Sequence, residues 1–404
     1  MGISRSRQII VAGAGIAGLT AALAFARRGF SVDVFERSES LVEVGAGLQL
    51  SPNATRILDR LGVLELLLPK AVRPRGVILR DARTLSELAR VPLGDSAEQR
   101  WHAPYLVAHR ADLQGALLEA VALQPAIRLV TGATVAGLTP RPPGVAVTLD
   151  RAGGIDQTTG LLLVGADGVW SAVRGLLGIA DGSRFAGELA WRTVIDADSD
   201  IGQAFAGIGA RDAVNAFLHP GFHLIAYPVR GGAAFNLVAF TRGQRIAEGW
   251  SGAANAAILE QAMRHTAPAL ARLARDAGPW TAWPIHTVRP QTPWTAPGVA
   301  LIGDAAHAMT PFAAQGAAMA IEDADTLAAF VASEPGNVAA ALAAWERSRR
   351  PRIAAVARRG AFNHFAWQAW GPIALVRNLV LKTRPPEKLA ADLDWLYGWE
   401  PARG

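Results

Sequence analysis

The chain has 404 residues and a formal net charge of +6 at pH 7. Hydrophobic residues make up 51% and charged residues 18%, a composition that supports a large buried core and excludes a disordered tail or a mini-protein. The absence of cysteine excludes disulfides, iron–sulfur clusters, thiolate zinc sites and thiol nucleophiles. At roughly 150 residues per domain, this length predicts about two or three domains.

The 40 basic residues do not form a nucleic-acid footprint, because the densest cluster is only Arg347, Arg349, Arg350 and Arg352, without interleaved aromatic residues. No group of His, Asp and Glu has the spacing of metal ligands. We therefore expect no nucleic-acid partner and no metal. An uncharged stretch at 8–26 has the hydropathy of a signal peptide or a membrane span, but its glycines favour another interpretation.

That stretch predicts a strand, a glycine turn and a helix. Residues 9–12 are β-branched or small, 13–18 read Gly-Ala-Gly-Ile-Ala-Gly, 19–28 have helical character and 31–36 predict a second strand. Gly13 allows the tight turn, Gly15 lets the backbone approach a pyrophosphate, and Gly18 lets the helix pack on the strand. Glu36, followed by Arg37, ends the second strand where a carboxylate binds ribose hydroxyls. The segment predicts a dinucleotide site.

Two later segments extend this prediction. Residues 161–174 read as a buried strand that enters a turn at Asp167-Gly168, with Ser171 and Arg174 after it. Residues 299–304 form another apolar strand that ends in Gly303-Asp304 and leads into an alanine-rich helix. A dinucleotide fold alone does not distinguish NAD from FAD, so the choice between them depends on these later segments.

Together the segments resemble the group A flavoprotein aromatic hydroxylases, over nearly the whole chain, and within them the salicylate hydroxylase and 6-hydroxynicotinate 3-monooxygenase branch. The stretches at 45–54, 227–232, 314–324 and 393–400 look like that branch. The resemblance implies non-covalent FAD, with NADH or NADPH as co-substrate. One departure is that Pro311 is followed by Ala314, Gly316 and Ala318, where the family commonly has Pro-x-x-Gly-x-Gly-x-Asn. The cofactor-binding residues implied by the resemblance are Gly13, Gly15, Ala17, Gly18, Glu36, Arg37, Arg110, Asp167, Gly303, Asp304, Gly316 and Ala317.

The resemblance implies a monooxygenase that uses NAD(P)H and O₂ to hydroxylate a small aromatic acid through a flavin C4a-hydroperoxide. The acid would be salicylate-, hydroxybenzoate- or hydroxynicotinate-like. One alternative keeps the cofactor and takes a larger substrate, as an epoxidase or a polyketide or antibiotic hydroxylase, and predicts a larger pocket. Alternatives of another class are a flavin-free NAD-dependent dehydrogenase and a non-catalytic flavin-binding protein.

Candidate catalytic residues follow from the same chemistry. Phenols react faster when deprotonated, and histidine is the usual base near neutral pH. Residues 223, 225 and 227 share one face of a predicted strand, so we expect His223 as base or proton relay and Tyr227 as a hydrogen-bond partner of the substrate. Pro311 is expected beside the reacting edge of the flavin, with a helix starting near Ala313. Arg192 is equally consistent with binding an anion and with a solvated strand position.

The predicted fold class is α/β, with a Rossmann-like FAD-binding domain of the p-hydroxybenzoate hydroxylase type. We expect that domain to be discontinuous, over 1–70, 105–180 and 285–345, with an antiparallel-sheet substrate domain over 71–104 and 181–284. Residues 346–404 are predicted to form a C-terminal helical segment, rich in tryptophan, that packs on the FAD domain or on a second copy. The expected protein is cytoplasmic, without stable membrane insertion, and a monomer or homodimer.

Overall fold

The structure is a computed structural model that describes residues 7–41, 46–179, 182–243, 252–253 and 257–401. The strands within this part are β1 (Gln8–Ala12), β2 (Ser31–Phe35), β3 (Gly47–Leu50), β4 (Gly76–Asp81), β5 (Glu87–Pro92), β6 (Leu106–His109), β7 (Ile127–Val130), β8 (Ala133–Arg141), β9 (Gly144–Arg151), β10 (Gly154–Gly160), β11 (Leu162–Gly165), β12 (Arg184–Asp196), β13 (Val214–His219), β14 (Phe222–Val229), β15 (Ala234–Arg242), β16 (Gly252–Ala253), β17 (Thr281–Thr287), β18 (Thr295–Ala296) and β19 (Val299–Leu301).

Helices connect these strands and follow them to the C-terminus. They are α1 (Ile16–Ala26), α2 (Pro52–Arg60), α3 (Leu64–Leu67), α4 (Asp95–Trp101), α5 (Arg110–Ala122), α6 (Ala172–Leu176), α7 (Asp200–Ala206), α8 (Ala257–Ala262), α9 (Pro268–Asp276), α10 (Asp304–His307), α11 (Gly316–Ser333), α12 (Val338–Trp367), α13 (Gly371–Thr383), α14 (Pro386–Ala391) and α15 (Asp394–Tyr397). No described helix is long and apolar enough to cross a membrane.

A six-stranded sheet forms the first layer, in the order β18-β19-β11-β1-β2-β7. All its pairs are parallel except β18 with β19. β1 is almost entirely buried, as expected for a parallel strand covered on both faces. α1 is buried nearly all round, because it packs on β2 and on α11. The small residues of α1 and α11 allow this close packing.

An eight-stranded sheet, β16-β17-β12-β15-β14-β13-β4-β5, forms the second layer. Alternate side chains of its strands enter two different cores, as the two-residue period of a strand requires. Trp191, Leu224 and Phe235 pack with α7 to α9 in one core. Ile225 and Val238 face the first layer and belong to the larger core. The functional side chains of this sheet therefore lie between the two layers.

Several predicted boundaries are wrong. The first helix begins at Ile16, directly after the glycine turn, and not at 19. The sequence also predicts one helix around 253–276, whereas the structure has two, α8 and α9. Pro268 at the first turn of α9 explains the separation, because proline lacks the N–H needed inside a helix. The predicted domain boundary at 284 cuts β17. The division into domains otherwise stays a prediction.

Candidate active site

Four parallel strands of the six-stranded sheet end side by side at one edge. They are neighbours in the order β19, β11, β1 and β2. The segments that leave these strands carry Gly303, Asp167, Gly13 and Glu36, respectively. Because the carboxyl ends of parallel strands share one edge, residues from four separate sequence segments lie close together. Ligands of open α/β sheets bind at such an edge.

The glycines after β1 have different geometric roles. Gly13 has a φ of +101°, and a Cβ there would lie 2.7 Å from the Ala166 carbonyl oxygen. A Cβ on Gly18 would lie 1.9 Å from the Gly13 carbonyl oxygen. A Cβ on Gly15 would meet nothing within 4 Å. Gly13 and Gly18 are therefore required for packing, whereas Gly15 borders open space at the start of α1.

Glu36 closes the same turn. Its carboxylate accepts hydrogen bonds from the backbone N–H groups of Ala14 at 2.8 Å and Ser38 at 2.9 Å. A carboxylate has about four lone-pair positions, so Glu36 retains capacity to accept from ribose hydroxyls. Arg37 is exposed beside it and does not line the cavity described below. Its contact with a cofactor stays a prediction.

Asp167 caps a helix rather than facing open space. Its carboxylate accepts from the Ser171 hydroxyl at 2.5 Å and from the Val173 N–H at 3.0 Å. The Arg174 guanidinium then donates to the Ala305 carbonyl oxygen at 2.8 Å. The segment after β11 is thus tied to the segment after β19. Direct contact of Asp167 with a cofactor stays a prediction.

Gly303 and Asp304 form the turn after β19. Gly303 has a φ of +57°, a conformation that favours glycine. Ala17 of α1 lies nearby, since a Cβ on Gly303 would be 3.4 Å from the Ala17 Cβ. Asp304 is exposed at the start of α10, while the rest of that short helix is buried. This arrangement presents one carboxylate at the shared edge.

The segment after Pro311 differs from its prediction. Residues Pro311–Ala313 form a 3₁₀ turn, Ala314 has a φ of +52°, and α11 begins at Gly316 rather than near Ala313. A left-handed residue ends one helical segment before the next can begin. The first turn of α11 carries no acidic residue, and its N-cap has no side-chain hydrogen bond. Its N–H groups and positive dipole end therefore remain available to a ligand.

A cavity of about 570 Å³ lies between the two layers. It reaches from Ile16 at the start of α1, past the start of α11, to β14 and the C-terminal helices. Six of the predicted site residues line it: Arg110, His223, Tyr227, Pro311, Gly316 and Ala317. A site of this size and mostly apolar character is typical for a small ligand with part of a cofactor. The cavity therefore joins the dinucleotide edge to the predicted catalytic residues.

His223 is fully buried in a ring of aromatic side chains. Its imidazole stacks on Phe240 at 4.6 Å and makes edge contacts with Phe312 at 5.2 Å and Trp367 at 5.3 Å, all between ring centroids. Neither ring nitrogen has a hydrogen-bond partner in the protein. Burial, with a smaller effect of His364, lowers the pKa of His223 to about 3. His223 is a neutral group with unused hydrogen-bonding capacity.

Arg192 and Tyr227 flank His223 on the same sheet face. Arg192 pairs with Val238 on β15, and Val238 pairs with Ile225, midway between His223 and Tyr227. Burial lowers the pKa of Arg192 and raises that of Tyr227. The Arg192 Nε has no hydrogen-bond partner in the protein. A half-buried guanidinium with an unpartnered Nε in a mostly apolar cavity is suited to an anion.

The charged side chains that line the cavity are mostly positive, like Arg192. Its charged lining groups are Arg110, Arg192, Arg359, Arg377, Arg384 and Asp392. Among the described lining residues, Asp392 is the one acidic side chain, and it pairs with Arg384 at 2.7 Å. The remaining arginines make the cavity attractive to anionic ligands.

Sequence reasoning missed several lining residues. Tyr105, between α4 and β6, donates its hydroxyl hydrogen to Gln49 Oε1 at 2.6 Å, and Trp367 ends α12. Tyr397, in α15, packs on Trp101 with ring centroids 5.0 Å apart. These residues are far from the glycine motifs in sequence, and although Tyr397 lies in the family-like stretch 393–400, no pattern there assigns it to a cavity. Only the folded chain brings them to the cavity.

The residues present fit FAD. Open space at Gly15 and an uncapped start of α1 suit a pyrophosphate, because free N–H groups and the helix dipole favour anions. A Cβ on Gly316 would also meet nothing within 4 Å, which leaves room for a flat ring system at the start of α11. Glu36 and the exposed Asp304 have acceptor oxygens that suit hydroxyl groups of the cofactor, and their contact with it stays a prediction.

Comparisons with known proteins agree with this fit. Residues 6–360 match the sequence family described as "FAD binding domain". A 3-hydroxybenzoate 6-hydroxylase of Polaromonas naphthalenivorans (strain CJ2) is 34% identical over 392 residues, which cover 97% of this chain and 96% of that protein. A 3-amino-4-hydroxybenzoate 2-monooxygenase of Streptomyces cremeus is 34% identical over 402 residues, 98% of this chain and 96% of its own.

The fold also has solved counterparts. A salicylate hydroxylase substrate complex superposes with a TM-score of 0.81 at 24% identity, over 97% of this chain and 95% of that one. At this identity the likeness concerns the fold alone. It confirms the predicted α/β architecture.

Proposed function

Because the chain belongs to the family of FAD-dependent aromatic hydroxylases, we propose that it hydroxylates a small aromatic acid bearing a phenolic hydroxyl. It is an FAD-dependent monooxygenase that consumes NAD(P)H and O₂. The flavin-free dehydrogenase and the non-catalytic alternatives are wrong. The predicted choice of a salicylate-, hydroxybenzoate- or hydroxynicotinate-like acid belongs to this proposal.

The observation that carries the proposal is the set of polar groups on one face of the eight-stranded sheet. His223, Tyr227 and Arg192 project from an otherwise apolar floor that contains Ile225 and Val238. An aromatic ring is suited to the apolar floor, while its polar substituents need the three polar side chains. Few, well-placed polar groups in an apolar pocket are typical of small-molecule sites.

Arg192 is assigned to the carboxylate of the substrate. Its guanidinium is suited to bidentate contact with a planar carboxylate, and no acidic lining residue is described near it. Binding the carboxylate compensates the positive charge of this half-buried side chain. Tyr227, whose pKa burial raises, stays protonated and donates a hydrogen bond to the substrate.

His223 is assigned to the phenolic hydroxyl. A neutral imidazole nitrogen accepts the hydrogen bond of that hydroxyl and so increases the electron density of the ring. A phenolate that forms beside His223 raises the low pKa of the imidazole, because opposite charges stabilise each other. The proton of the hydroxyl is thereby held at His223 while the ring is attacked.

The walls of the site orient the substrate and exclude water. Bound FAD supplies the redox chemistry, in which NAD(P)H is oxidised and one atom of O₂ enters the ring. The start of α11, which has no acidic residue in its first turn, would place its positive dipole end toward the ring system of bound FAD and stabilise negative charge there. Phe240, Phe312 and Trp367 exclude water from the neighbourhood of His223.

A second candidate keeps the chemistry and adds an apolar substituent to the ring. The cavity continues past the polar groups along Val77, Leu79 and Val91 of the sheet to Val380 and Leu393 of the C-terminal helices. This apolar continuation offers room beyond that needed by an unsubstituted hydroxybenzoate. Such a substrate would still place its carboxylate at Arg192.

The test is anaerobic reduction of the bound flavin by NADH or NADPH, followed by absorbance, with a panel of aromatic acids. The panel contains salicylate, 3-hydroxybenzoate, 6-hydroxynicotinate and their alkyl-substituted analogues. Faster reduction with one acid, and formation of its hydroxylated product in air, supports the proposal. Stimulation by alkylated acids alone favours the second candidate. If no acid changes reduction or is hydroxylated, the proposal is wrong.

Variants of Arg192 and His223 separate their roles. Arg192→Gln should weaken binding of the effective acid about tenfold or more, because a charge-assisted hydrogen bond is lost. For the analogue in which an amide replaces the carboxylate, this substitution should weaken binding far less than it does for the acid. His223→Gln should slow hydroxylation while flavin reduction stays near normal. Loss of reduction alone in His223→Gln would contradict its assigned role.

A further inference from the structure

Asp323 is a fully buried carboxylate of α11 behind the dinucleotide edge. Its Oδ2 accepts hydrogen bonds from the Gly303 N–H at 3.0 Å and from His307 Nε2 at 2.5 Å. Its Oδ1 accepts from Arg349 Nε at 2.8 Å. Because Asp323 is fully buried and its two oxygens accept from three protein donors, it does not itself face the cofactor.

The two donors on Oδ2 lie at opposite ends of one short element. Gly303 is the N-cap of α10 and His307 is its last residue. A single oxygen atom therefore holds both ends of the one-turn helix. The exposed residue of that helix, Asp304, projects to the edge where the cofactor is expected. The position of Asp304 thus depends on a carboxylate behind it.

The surrounding charges keep Asp323 ionised. Burial alone would raise its pKa, but His307, Arg349 and the hydrogen bonds from His307 and Gly303 lower it. Arg349 also binds Glu322 through Nη1 at 2.7 Å. Because an ionised carboxylate only accepts hydrogen bonds, the His307 Nε2 must carry a hydrogen. The cluster is internally paired, so its geometry is well defined.

We propose that Asp323 is a positioning residue for FAD, because it fixes the turn from which Asp304 binds the cofactor. The inference rests on the proposed function, which requires bound FAD, and on the predicted contact of Gly303 and Asp304 with that cofactor. Asp323 acts through Gly303 and His307 and touches neither cofactor nor substrate. Substitution of Asp323 should weaken FAD binding more than it lowers the stability of the folded apoprotein.

The test variant is Asp323→Asn, with Asp325→Asn as the matched control. The amide keeps the size of the side chain but presents an N–H₂ group to one of the donors, which leaves a buried donor unpaired. Asp325 lies on the same helix and is also buried, but its carboxylate pairs with Arg28 at 2.9 Å and Arg60 at 2.6 Å, not with α10. Both variants lose a buried carboxylate, but only Asp323→Asn changes the group that holds the two ends of α10.

The measurement is FAD titration of each apoprotein by quenching of flavin fluorescence, together with the melting temperature before and after FAD. Asp323→Asn should raise the FAD dissociation constant about tenfold and reduce the FAD-induced rise in melting temperature. Asp325→Asn should lower the melting temperature of the apoprotein while FAD affinity stays close to that of the unchanged protein. Equal FAD affinity in both variants would overturn the inference.

A second pair of variants applies if Asp323→Asn does not fold. His307→Gln retains an N–H donor near Asp323, whereas His307→Leu removes it. We expect His307→Gln to bind FAD more tightly than His307→Leu, and equal affinities would overturn the inference. If the unchanged protein fails to bind FAD, the cofactor assignment itself fails. The titration needs no substrate, so an error in the proposed substrate does not affect it.

Discussion

At the scale of single residues, His223 combines two properties that rarely occur together. It is completely buried, and both ring nitrogens lack a partner in the protein. A buried polar group without a partner destabilises the fold, and such a group is retained where function requires it. The sequence predicted the side chain and its face from the two-residue period. The aromatic side chains that surround it come from β15, the segment after Pro311 and α12. Their arrangement could not be predicted from one strand.

Burial of His223 predicts a specific pH dependence of stability. Its pKa is about 3 in the folded chain and about 6.5 in the unfolded chain. As the pH falls below about 6.5, the unfolded chain takes up a proton that the folded chain does not, so the free energy of unfolding decreases. The slope contributed by one such group approaches about 1.4 kcal/mol per pH unit.

The measurement is urea unfolding of the FAD-loaded protein at several pH values from about 7 to about 5. His223→Gln cannot take up this proton, so its stability should fall less steeply with decreasing pH. His219, whose pKa burial lowers to about 4, contributes a slope of the same sign in both proteins and cancels in the comparison. Parallel curves for the two proteins would show that His223 is protonated when folded.

At the scale of elements, the β1–turn–α1 unit shows how far a motif specifies structure. The glycine spacing predicted the strand, the turn and the helix, because Gly13 and Gly18 meet steric limits that sequence rules describe. The start of α11 was misplaced for the opposite reason. Ala314 adopts a left-handed φ of +52° where the family commonly has glycine, so the sequence carried no sign of the break.

The two glycines Gly15 and Gly18 predict opposite results for one substitution. Gly15→Ala adds a methyl group to open space and should leave the folded apoprotein intact. The same methyl group would occupy the space expected for the pyrophosphate, so FAD affinity should fall about tenfold or more. Gly18→Ala places a Cβ 1.9 Å from the Gly13 carbonyl oxygen and should destabilise the fold directly.

Melting temperatures of the apoproteins and FAD titrations distinguish these effects. Gly15→Ala should melt near the unchanged protein but show little stabilisation by FAD. Gly18→Ala should melt at a clearly lower temperature even without FAD. Normal FAD affinity in Gly15→Ala would contradict the placement of the pyrophosphate at the start of α1.

At the scale of the whole molecule, the cavity is assembled from segments hundreds of residues apart. Gln49, Tyr105, His223 and Tyr397 line it together, although they belong to four different regions of the chain. Motifs predict the cofactor edge because its residues lie next to glycine turns. The opposite wall consists of ordinary apolar and aromatic residues of the C-terminal helices, which single-sequence patterns do not distinguish from core. Tertiary packing alone assigns them to the site.

Tyr397 is the residue at which this wall can be tested. Its ring packs on Trp101 at 5.0 Å and on Tyr105 at 5.8 Å, and burial raises its pKa to about 12. Tyr397→Ala opens the wall beside the cavity and admits water, whereas Tyr397→Phe keeps the ring and removes only the hydroxyl. Water in the site should divert oxygen from the substrate to hydrogen peroxide, because the exclusion of water suppresses such side reactions.

We therefore expect Tyr397→Ala to consume NAD(P)H at a comparable rate but to form several-fold less hydroxylated product, with the difference recovered as hydrogen peroxide. The ratio of product formed to NAD(P)H consumed measures this coupling, and the FAD dissociation constant controls for loss of cofactor. Tyr397→Phe should keep a ratio close to that of the unchanged protein, since the ring still closes the wall. If Tyr397→Ala stays fully coupled, residues other than the C-terminal segment must exclude water from the reacting ring. A loss of coupling in Tyr397→Phe equal to that in Tyr397→Ala would instead assign the effect to the hydroxyl group.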